Sequence, residues 1–268
     1  MTVAVKLAAK RALGRLYSLC PRAAKRRVVL LYHSIGDSPP ALPNAVFRSQ
    51  IEWLTSEAEL VSLDTALRRT GTAPLQVSIT FDDGYASVHS AASTVLRGLG
   101  ATATVFLNTG WIASETRKQS DSGQGHYPQE NFMLWREVED LAAAGWGIGS
   151  HGVDHLDLTA QPDDCVRTQL TASRARIVET LGSCSPIFSY TWGRHTPHLR
   201  QLVAEAGYTH AVAGVHGALH DTMDPYMIPR IDVAKSYTLD DFKAIVRGDW
   251  DYLAWLQQGR AVLAGALR

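Results

Sequence analysis

The sequence predicts a distorted (β/α) barrel of about seven parallel strands, similar in plan to a TIM barrel. Segments with strand character alternate with segments of helical periodicity along most of the 268-residue chain. Such alternation is typical of a parallel sheet with helices on its outside. One barrel of roughly 250 residues would account for nearly all of the chain. We therefore expect a single barrel domain at 28–268, with the unusual polar residues placed where its strands end.

The predicted strands are short apolar runs that end at turns. The first, at 28–32, is continuously apolar, which suits a strand buried on both faces of a parallel sheet. The seven predicted strands lie near 28–32, 75–81, 101–108, 146–151, 186–193, 209–213 and 226–233.

Apolar residues recur at helical spacing between these strands. Phe47, Ile51 and Leu54, for example, share one side of a helix. A polar loop at 113–131 interrupts the pattern, and we expect either a lid or a segment without fixed structure. The predicted helices lie near 46–60, 86–98, 134–145, 163–181 and 196–207, and the last begins at 239.

The charge of the chain is uneven, although its formal sum is zero. Residues 1–27 contain eight lysines and arginines and no acid, which leaves 18 basic against 26 acidic residues in the remainder. We therefore separate a basic amphipathic N-terminal segment, 1–27, from the barrel. Charges recur every few residues in this segment, so it lacks the apolar stretch of a signal peptide. No later segment has the ~20 apolar residues that span a bilayer.

On a helical wheel, the N-terminal segment has one apolar side. Lys10, Arg11 and Arg15 lie away from that side, and so does Leu7. The pattern suits a helix of residues 1–24 on an anionic membrane surface, and equally a solvated basic helix or a frayed terminus. The apolar side is formed by Val5, Ala9, Ala12, Leu13, Leu16 and Cys20.

The three cysteines, Cys20, Cys165 and Cys184, lack the spacing of a metal site and cannot all pair with one another. A reducing compartment is the default for such a chain. We expect a cytoplasmic protein, with peripheral contact to the inner membrane surface if the N-terminal helix binds lipid. The basic cluster has one aromatic residue, Tyr17, so we expect no nucleic-acid partner.

Two adjacent carboxylates, Asp82 and Asp83, follow the predicted strand at 75–81. Successive residues at a strand end point in different directions, so one aspartate could bind a metal while the other acts as a base. Gly84 permits a sharp turn of the backbone beneath them. An aspartate that caps the following helix would give the same letters, so both interpretations stay open for these residues alone.

His151 and His155 stand at the end of the predicted strand at 146–151. Their spacing lets both imidazoles face one ion, although a chain with ten histidines can contain such a pair by chance. With an aspartate they would form a two-histidine, one-carboxylate face that suits Zn²⁺, Co²⁺, Mn²⁺, Fe²⁺ or Ni²⁺. A metal held in this way acidifies water and polarises a carbonyl, which is hydrolase chemistry.

Three segments, in order, resemble the motifs of polysaccharide deacetylases of the NodB-homology type. They are TFDDGY at 80–85, WREVEDLAAAGWGIGSHGVDHLDLT at 135–159 and FSYTWG at 188–193. The resemblance extends over about residues 28–233. It implies a metal triad of Asp83, His151 and His155, with Zn²⁺ as the first choice of ion. It also implies that Asp82 is the general base that activates water for attack on an acetamide.

The third motif departs from the common form of the family. Residues 189–192 read SYTW where many members have Arg-x-Pro-Tyr, so the arginine that usually steadies the base is missing. Arg230, in IPRIDV, is our candidate replacement. The alternative is that Arg230 forms an ordinary salt bridge.

Aromatic residues of the motifs are candidates for contact with the substrate. The backbone N–H of Trp192 matches the oxyanion donor of the family, and its ring could form a wall for a sugar. The alternative is a buried packing aromatic. Tyr85 and Tyr190 complete the expected substrate-binding set.

Cleavage of an amide also needs an acid that protonates the leaving amine. Most family members supply a histidine from a late Leu-His motif, but here LHD at 219–221 stands before a predicted strand instead of after one. LYHSIGD at 31–37 resembles the N-terminal histidine segment of the subgroup that deacetylates poly-N-acetylglucosamine. We therefore prefer His33 over His220 as the acid, with Asp37 as its orienting partner.

The sequence thus predicts a metal-dependent hydrolase acting on an N-acetylated amino sugar. It would remove the N-acetyl group from a glycan or from a lipid-linked or nucleotide-linked precursor. The same motifs fit removal of an O-acetyl or formyl group, because the loops choose the acyl group. A barrel that binds a glycan or a lipid carrier without catalysis is the third interpretation.

Overall fold

The protein is described by a computed structural model that covers residues 3–20, 23–68 and 73–257. Its centre is a sheet of parallel strands, as predicted. The strands are β1 (Arg26–Tyr32), β2 (Glu59–Leu60), β3 (Leu75–Phe81), β4 (Thr104–Leu107), β5 (Gly147–Ser150), β6 (Ile187–Ser189), β7 (His210–Val212) and β8 (Ile231–Asp232). Seven of them form the distorted barrel in the order β7-β6-β5-β4-β3-β1-β8, and the short β2 pairs with β3 outside this path.

Helices cover the outside of the sheet. A π-helical turn, Val88–Ala92, leads directly into the fourth helix, and a further helical turn occupies residues 252–257. The helices are α1 (Val3–Tyr17), α2 (Asn44–Glu57), α3 (Leu63–Arg68), α4 (Ser93–Gly98), α5 (Trp135–Ala143), α6 (Asp163–Leu181), α7 (Pro197–Glu205) and α8 (Leu239–Arg247).

The pairing of β1 with β3 sets the register of the central sheet. The two strands pair residue for residue from Arg26 and Leu75 to Tyr32 and Phe81. Both are buried along most of their length, as the continuous apolar sequence predicts. Because the strands end at the same level, the residues that follow them meet at one edge of the sheet.

The segment from Ile228 to Asp232 narrows the gap between the two outer strands of the barrel. Ile228 forms a parallel bridge with Val212 of β7, and β8 pairs with Leu30 and Leu31 of β1. Arg230, which lies between these two contacts, is thereby buried inside the barrel.

Helix α1 packs against the barrel. Arg11 forms a salt bridge with Asp241 of α8, and Leu7 packs against the hydrophobic core. A Cβ at Gly14 would lie 2.6 Å from the Trp250 ring, so the close approach of α1 depends on this glycine. Leu7 therefore belongs to the side that faces the barrel, which explains why it lies off the apolar side. No helix in the described parts of the chain is long and apolar enough to cross a bilayer.

Two short elements, β2 and α3, were not predicted, because the sequence between α2 and β3 has too few apolar residues to show a period. The polar loop at 113–131 has a defined path. It is held by bridges between Gln119 and Asn131 and between Ala113 and Leu134. The expectation of a segment without fixed structure is therefore wrong for this loop.

Candidate active site

The candidate site lies where neighbouring strands end. Asp82 and Asp83 follow β3, His151 follows β5, and Ser189 is the last residue of β6. Adjacent parallel strands bring their carboxyl ends to the same edge of a barrel. The structure thus brings together residues that are more than a hundred positions apart in the chain.

Asp82 is buried and is held by charged and polar donors. Arg230 donates from Nη1 to Oδ1 over 2.8 Å and from Nη2 to Oδ2 over 2.7 Å. The hydroxyl of Ser189 donates to Oδ2 over 3.0 Å. Burial alone would raise the pKa of Asp82, but the positive charges of Arg230 and His151 outweigh it and hold the pKa below its ordinary value. Asp82 is therefore ionised at neutral pH.

Asp83, His151 and His155 form a buried group whose donor atoms converge. Oδ1 of Asp83 lies 3.5 Å from Nε2 of His151 and 3.4 Å from Nε2 of His155. One donor atom of each residue lies within 4.8 Å of the other two. Oδ1 of Asp83 is buried and has no hydrogen-bond partner. An unpaired buried carboxylate oxygen is costly, and a divalent cation among these atoms would satisfy it, so the residues fit a metal.

Backbone carbonyls orient both imidazoles of this group. Nδ1 of His151 lies 2.8 Å from the carbonyl oxygen of Ser189, and Nδ1 of His155 lies 2.7 Å from that of Gln124. A carbonyl accepts only from a protonated Nδ1, so Nε2 of each neutral ring keeps its lone pair for an ion. Burial lowers the pKa of His151 below its ordinary value and so favours the neutral ring.

The backbone is left-handed at three residues of the site. The φ angles are 72° at Asp83, 56° at His155 and 52° at Trp192. Gln129 is the only other non-glycine residue with a positive φ in the described part of the chain. Such conformations cost about 1–3 kcal/mol each and are concentrated at functional sites, where the surrounding structure holds them.

His33 lies beside Asp82 because β1 and β3 end in register. Its ring is half-buried and lies 5.2 Å from the ring of Tyr127. His33 also contributes to lowering the pKa of Asp82, which indicates that the two groups are near each other. Asp37 is exposed, and no hydrogen bond joins it to His33 in the described structure. The predicted orienting role of Asp37 is therefore not supported.

His220 lies at the opposite end of the barrel. Its neighbour Leu219 donates its backbone N–H to the carbonyl of Arg27, near the beginning of β1, and Asp221 forms a salt bridge with Arg27. The length of β1, about 20 Å, separates this position from His33. His220 is thus outside the candidate site.

The three aromatic candidates differ in exposure. The Trp192 side chain is 45% exposed, and its ring centroid lies 4.7 Å from that of His155, so it forms an open wall beside the triad. Tyr190 is buried and donates its hydroxyl to the carbonyl of Tyr226. Tyr85 is also buried, and its hydroxyl accepts the backbone N–H of Tyr127 over 2.7 Å. These contacts favour supporting roles for Tyr85 and Tyr190 over direct contact with a substrate.

The loop at 113–131 supplies residues that the motifs do not include. His126 stacks on His155, with ring centroids 4.7 Å apart, and burial lowers its pKa to about 4, which keeps the ring neutral. A Cβ at Gly125 would lie 2.7 Å from the Trp192 ring, so this glycine lets the loop pack against the wall. The only signal in the sequence is GQGH at 123–126, a histidine among glycines in a polar loop.

Glu130, from the same loop, holds the segment that carries His33. Its Oε1 accepts hydrogen bonds from the hydroxyls of Ser34, over 2.6 Å, and Ser38. The backbone N–H of Ile35 donates to the hydroxyl of Ser87. The residues on the C-terminal side of His33 are thus fixed from two directions.

The sequence of the chain matches the family model for polysaccharide deacetylases over residues 70–211. The chain belongs to the polysaccharide deacetylase family. A relative of this family member is YxkH of Bacillus subtilis (strain 168), which is assigned to the polysaccharide deacetylases. The two are 25% identical over 224 residues, which cover 81% of this chain and 75% of YxkH.

Solved structures with deacetylase names share the fold. The deacetylase PplD of Streptococcus pyogenes, solved in complex with acetate, superposes with a TM-score of 0.71 at 18% identity over 84% of this chain and 99% of PplD. IcaB of Ammonifex degensii gives a TM-score of 0.71 at 20% identity over 84% of this chain and 97% of IcaB. A de-N-acetylase of Aggregatibacter actinomycetemcomitans gives 0.70 at 18% identity over 82% and 100% of the respective chains.

Proposed function

We propose that this family member is a metal-dependent carbohydrate N-deacetylase. Its substrate would be an N-acetylated amino sugar in a glycan or in a lipid-linked or nucleotide-linked precursor. The observation that supports the proposal most is the position of Asp82. It is an ionised carboxylate held by Arg230, directly beside the buried group of Asp83, His151 and His155. One structural relative is named a de-N-acetylase, which supports the choice of the amide substrate.

Asp83, His151 and His155 would hold the divalent metal, with Zn²⁺ as the first choice. When bound, such an ion would lower the pKa of water and polarise the acetamide carbonyl. Asp82 would take the proton of the attacking water. Its bidentate contact with Arg230 keeps both carboxylate oxygens fixed and the group ionised, so it can act without first losing a proton.

His33 is the group that we assign to protonation of the leaving amine. It follows β1 at the level at which Asp82 follows β3, so the acid and the base approach the reacting bond from neighbouring strands. The backbone N–H of Trp192 is our candidate donor to the oxyanion. The exposed indole of Trp192 would stack against a sugar ring.

The ion pair of Asp82 and Arg230 also bears on the alternatives. A barrel that only binds a glycan gains nothing from a buried base that costs desolvation and needs a buried arginine to offset it. The pair therefore argues for catalysis. It does not distinguish an N-acetyl group from an O-acetyl or formyl group.

The test is product analysis with a metal-stripped enzyme. The protein is treated with chelator, supplied with Zn²⁺ or Co²⁺, and given free, oligomeric and lipid-linked N-acetylhexosamines. Both acetate and free amine are measured. Equal amounts of the two, formed only with metal, would support N-deacetylation, whereas acetate without amine, or formate, would indicate the alternative acyl groups.

Two variants and a control sharpen this test. Asp82→Asn should bind metal as the wild type does and lose about 10²–10⁴-fold in rate, the usual contribution of a general base. His151→Ala should lose both metal and activity. His198→Ala, at an exposed histidine on α7, should change neither. Stoichiometric metal without any product would refute the proposed acyl group or acceptor, and absence of both metal and product would favour the non-catalytic barrel.

A further inference from the structure

Helix α1 packs against the barrel with its polar side and leaves its apolar side exposed. The inward side carries Lys10, whose ammonium lies over the rings of Tyr237 and Trp250, and Arg11, which forms a salt bridge with Asp241. A surface helix of a globular protein is normally oriented the other way, with its apolar side towards the core. The orientation of α1 therefore calls for a partner outside the barrel.

The exposed residues form what we call the apolar strip. Leu16 is 67% exposed, and it lies on the same side of α1 as Val5 and Leu13. The helical turn at 252–257 continues the strip at the C-terminal end of α1, where the Trp255 ring packs edge-on against Tyr17 with centroids 5.7 Å apart. Trp255 itself is 66% exposed. The strip consists of Val5, Leu13, Leu16, Leu19, Trp255 and Leu256.

Basic residues flank the apolar strip. At 100° per residue, Lys6 and Arg15 fall on opposite sides of the line through Val5 and Leu16, and both are exposed. Lys25 is also exposed, and residues 1–27 contain no acid. Leucines between long cationic side chains, with a tryptophan at one end, are the composition of a helix that lies in a membrane interface.

We propose that the apolar strip and its flanking basic residues form a docking surface for an anionic lipid bilayer. The leucines and Trp255 would enter the boundary between headgroups and acyl chains, while Lys6 and Arg15 would contact anionic headgroups. A lipid surface matches both features, because an apolar protein groove alone would not require the cations. This inference does not depend on the proposed enzymatic activity.

The experiment is flotation of the full-length protein with two kinds of vesicle. One contains equal parts of phosphatidylglycerol and phosphatidylcholine, and the other contains phosphatidylcholine alone. The test variant is Leu13→Gln with Leu16→Gln. The matched control is Val178→Gln, because Val178 is an exposed apolar residue on α6, outside the strip. All of these side chains are exposed, so the thermal unfolding of each variant should match the wild type.

The wild type and Val178→Gln should float with the anionic vesicles, and the double variant should bind at least about tenfold more weakly. Lys6→Gln with Arg15→Gln should remove the preference for anionic vesicles, as should high salt. Wild type that fails to float, or a double variant that floats equally well, would overturn the proposal. A wild-type dimer that becomes monomeric in the double variant would also overturn it, because a second copy would then cover the strip.

Discussion

Arg230 and Asp82 form a buried bidentate ion pair between residues 148 positions apart in the chain. The same guanidinium donates from Nη2 to the hydroxyl of Ser189 over 3.0 Å. Ser189 stands where many relatives carry an arginine. The small side chain leaves room for a guanidinium that reaches the base from the segment before β8. The departure of the third motif from its common form is thus accompanied by an arginine from another part of the barrel.

Removal of this arginine should impair the base without removing the metal. Arg230→Gln should lower kcat by about 10²-fold or more, the scale of a general-base contribution, while the metal content stays unchanged. The charge of Arg230 holds the pKa of Asp82 below its ordinary value. Its loss should therefore raise that pKa and move the acidic limb of the pH–rate profile to higher pH.

Arg200→Gln is the matched control, because Arg200 pairs with Asp224 outside the triad. It should leave the acidic limb in place. An Arg230→Gln enzyme with the wild-type profile would show that the pair is an ordinary salt bridge, the alternative that the sequence left open.

A comparison of the two candidate acids should give a large difference. His33→Gln should depress turnover by about 10²-fold or more, because His33 lies beside Asp82 at the carboxyl edge of the sheet. His220→Gln should be nearly neutral, because its neighbours contact Arg27 at the other end of β1. Steady-state rates of both variants with the same substrate check this. Equal losses, or a larger loss for His220→Gln, would exclude His33 as the acid.

The strand ends could be predicted from sequence, because buried parallel strands are continuous apolar runs and the residues after them stand out. The triad is confirmed as a buried group that fits a metal, and β3 and α6 match their predicted bounds. Local motifs carry this information, since each places its residues within a few positions of a strand end.

Contacts between distant loops could not be predicted. The carbonyl of Gln124 that orients His155, and the ring of His126 behind it, come from a loop whose composition gives no period. The opposite exposures of Trp192 and Tyr190 also depend on the path of the chain after β6, which two neighbouring aromatic letters do not show. Asp37 was a plausible partner for His33 in sequence, but the turn after β1 places its side chain in solvent.

Glu130 should act as a positioning residue for His33. Its carboxylate accepts hydrogen bonds from Ser34 and Ser38, so Glu130→Ala should loosen the segment at 33–38. We expect kcat to fall while KM changes little, together with faster amide hydrogen exchange in this segment. Glu130→Gln keeps an oxygen acceptor and should restore part of the rate. Slower turnover without faster exchange at 33–38 would mean that Glu130 acts in some other way.

Acid should loosen the contact between α1 and α8. Burial alone would raise the pKa of Asp241, but hydrogen bonds from Arg11 and Thr238 outweigh it and hold the pKa below its ordinary value. A group with a lowered folded-state pKa stabilises the fold above its unfolded pKa of about 4, and this stabilisation is lost as the pH falls through the folded-state value. Hydrogen-exchange protection of α1 should therefore decrease below about pH 4.

Arg11→Met isolates the ion pair in this experiment, because it leaves the capping box of Asp241 and Thr238 in place. The variant should show weaker protection of α1 at neutral pH and a smaller decrease in acid. If Arg11→Met showed the same decrease as the wild type, the ion pair would not be what couples α1 to pH. Because Arg11 lies on the inward side of α1, a helix released by acid would also lose the orientation that exposes Leu16, so vesicle binding and α1 protection should fall together.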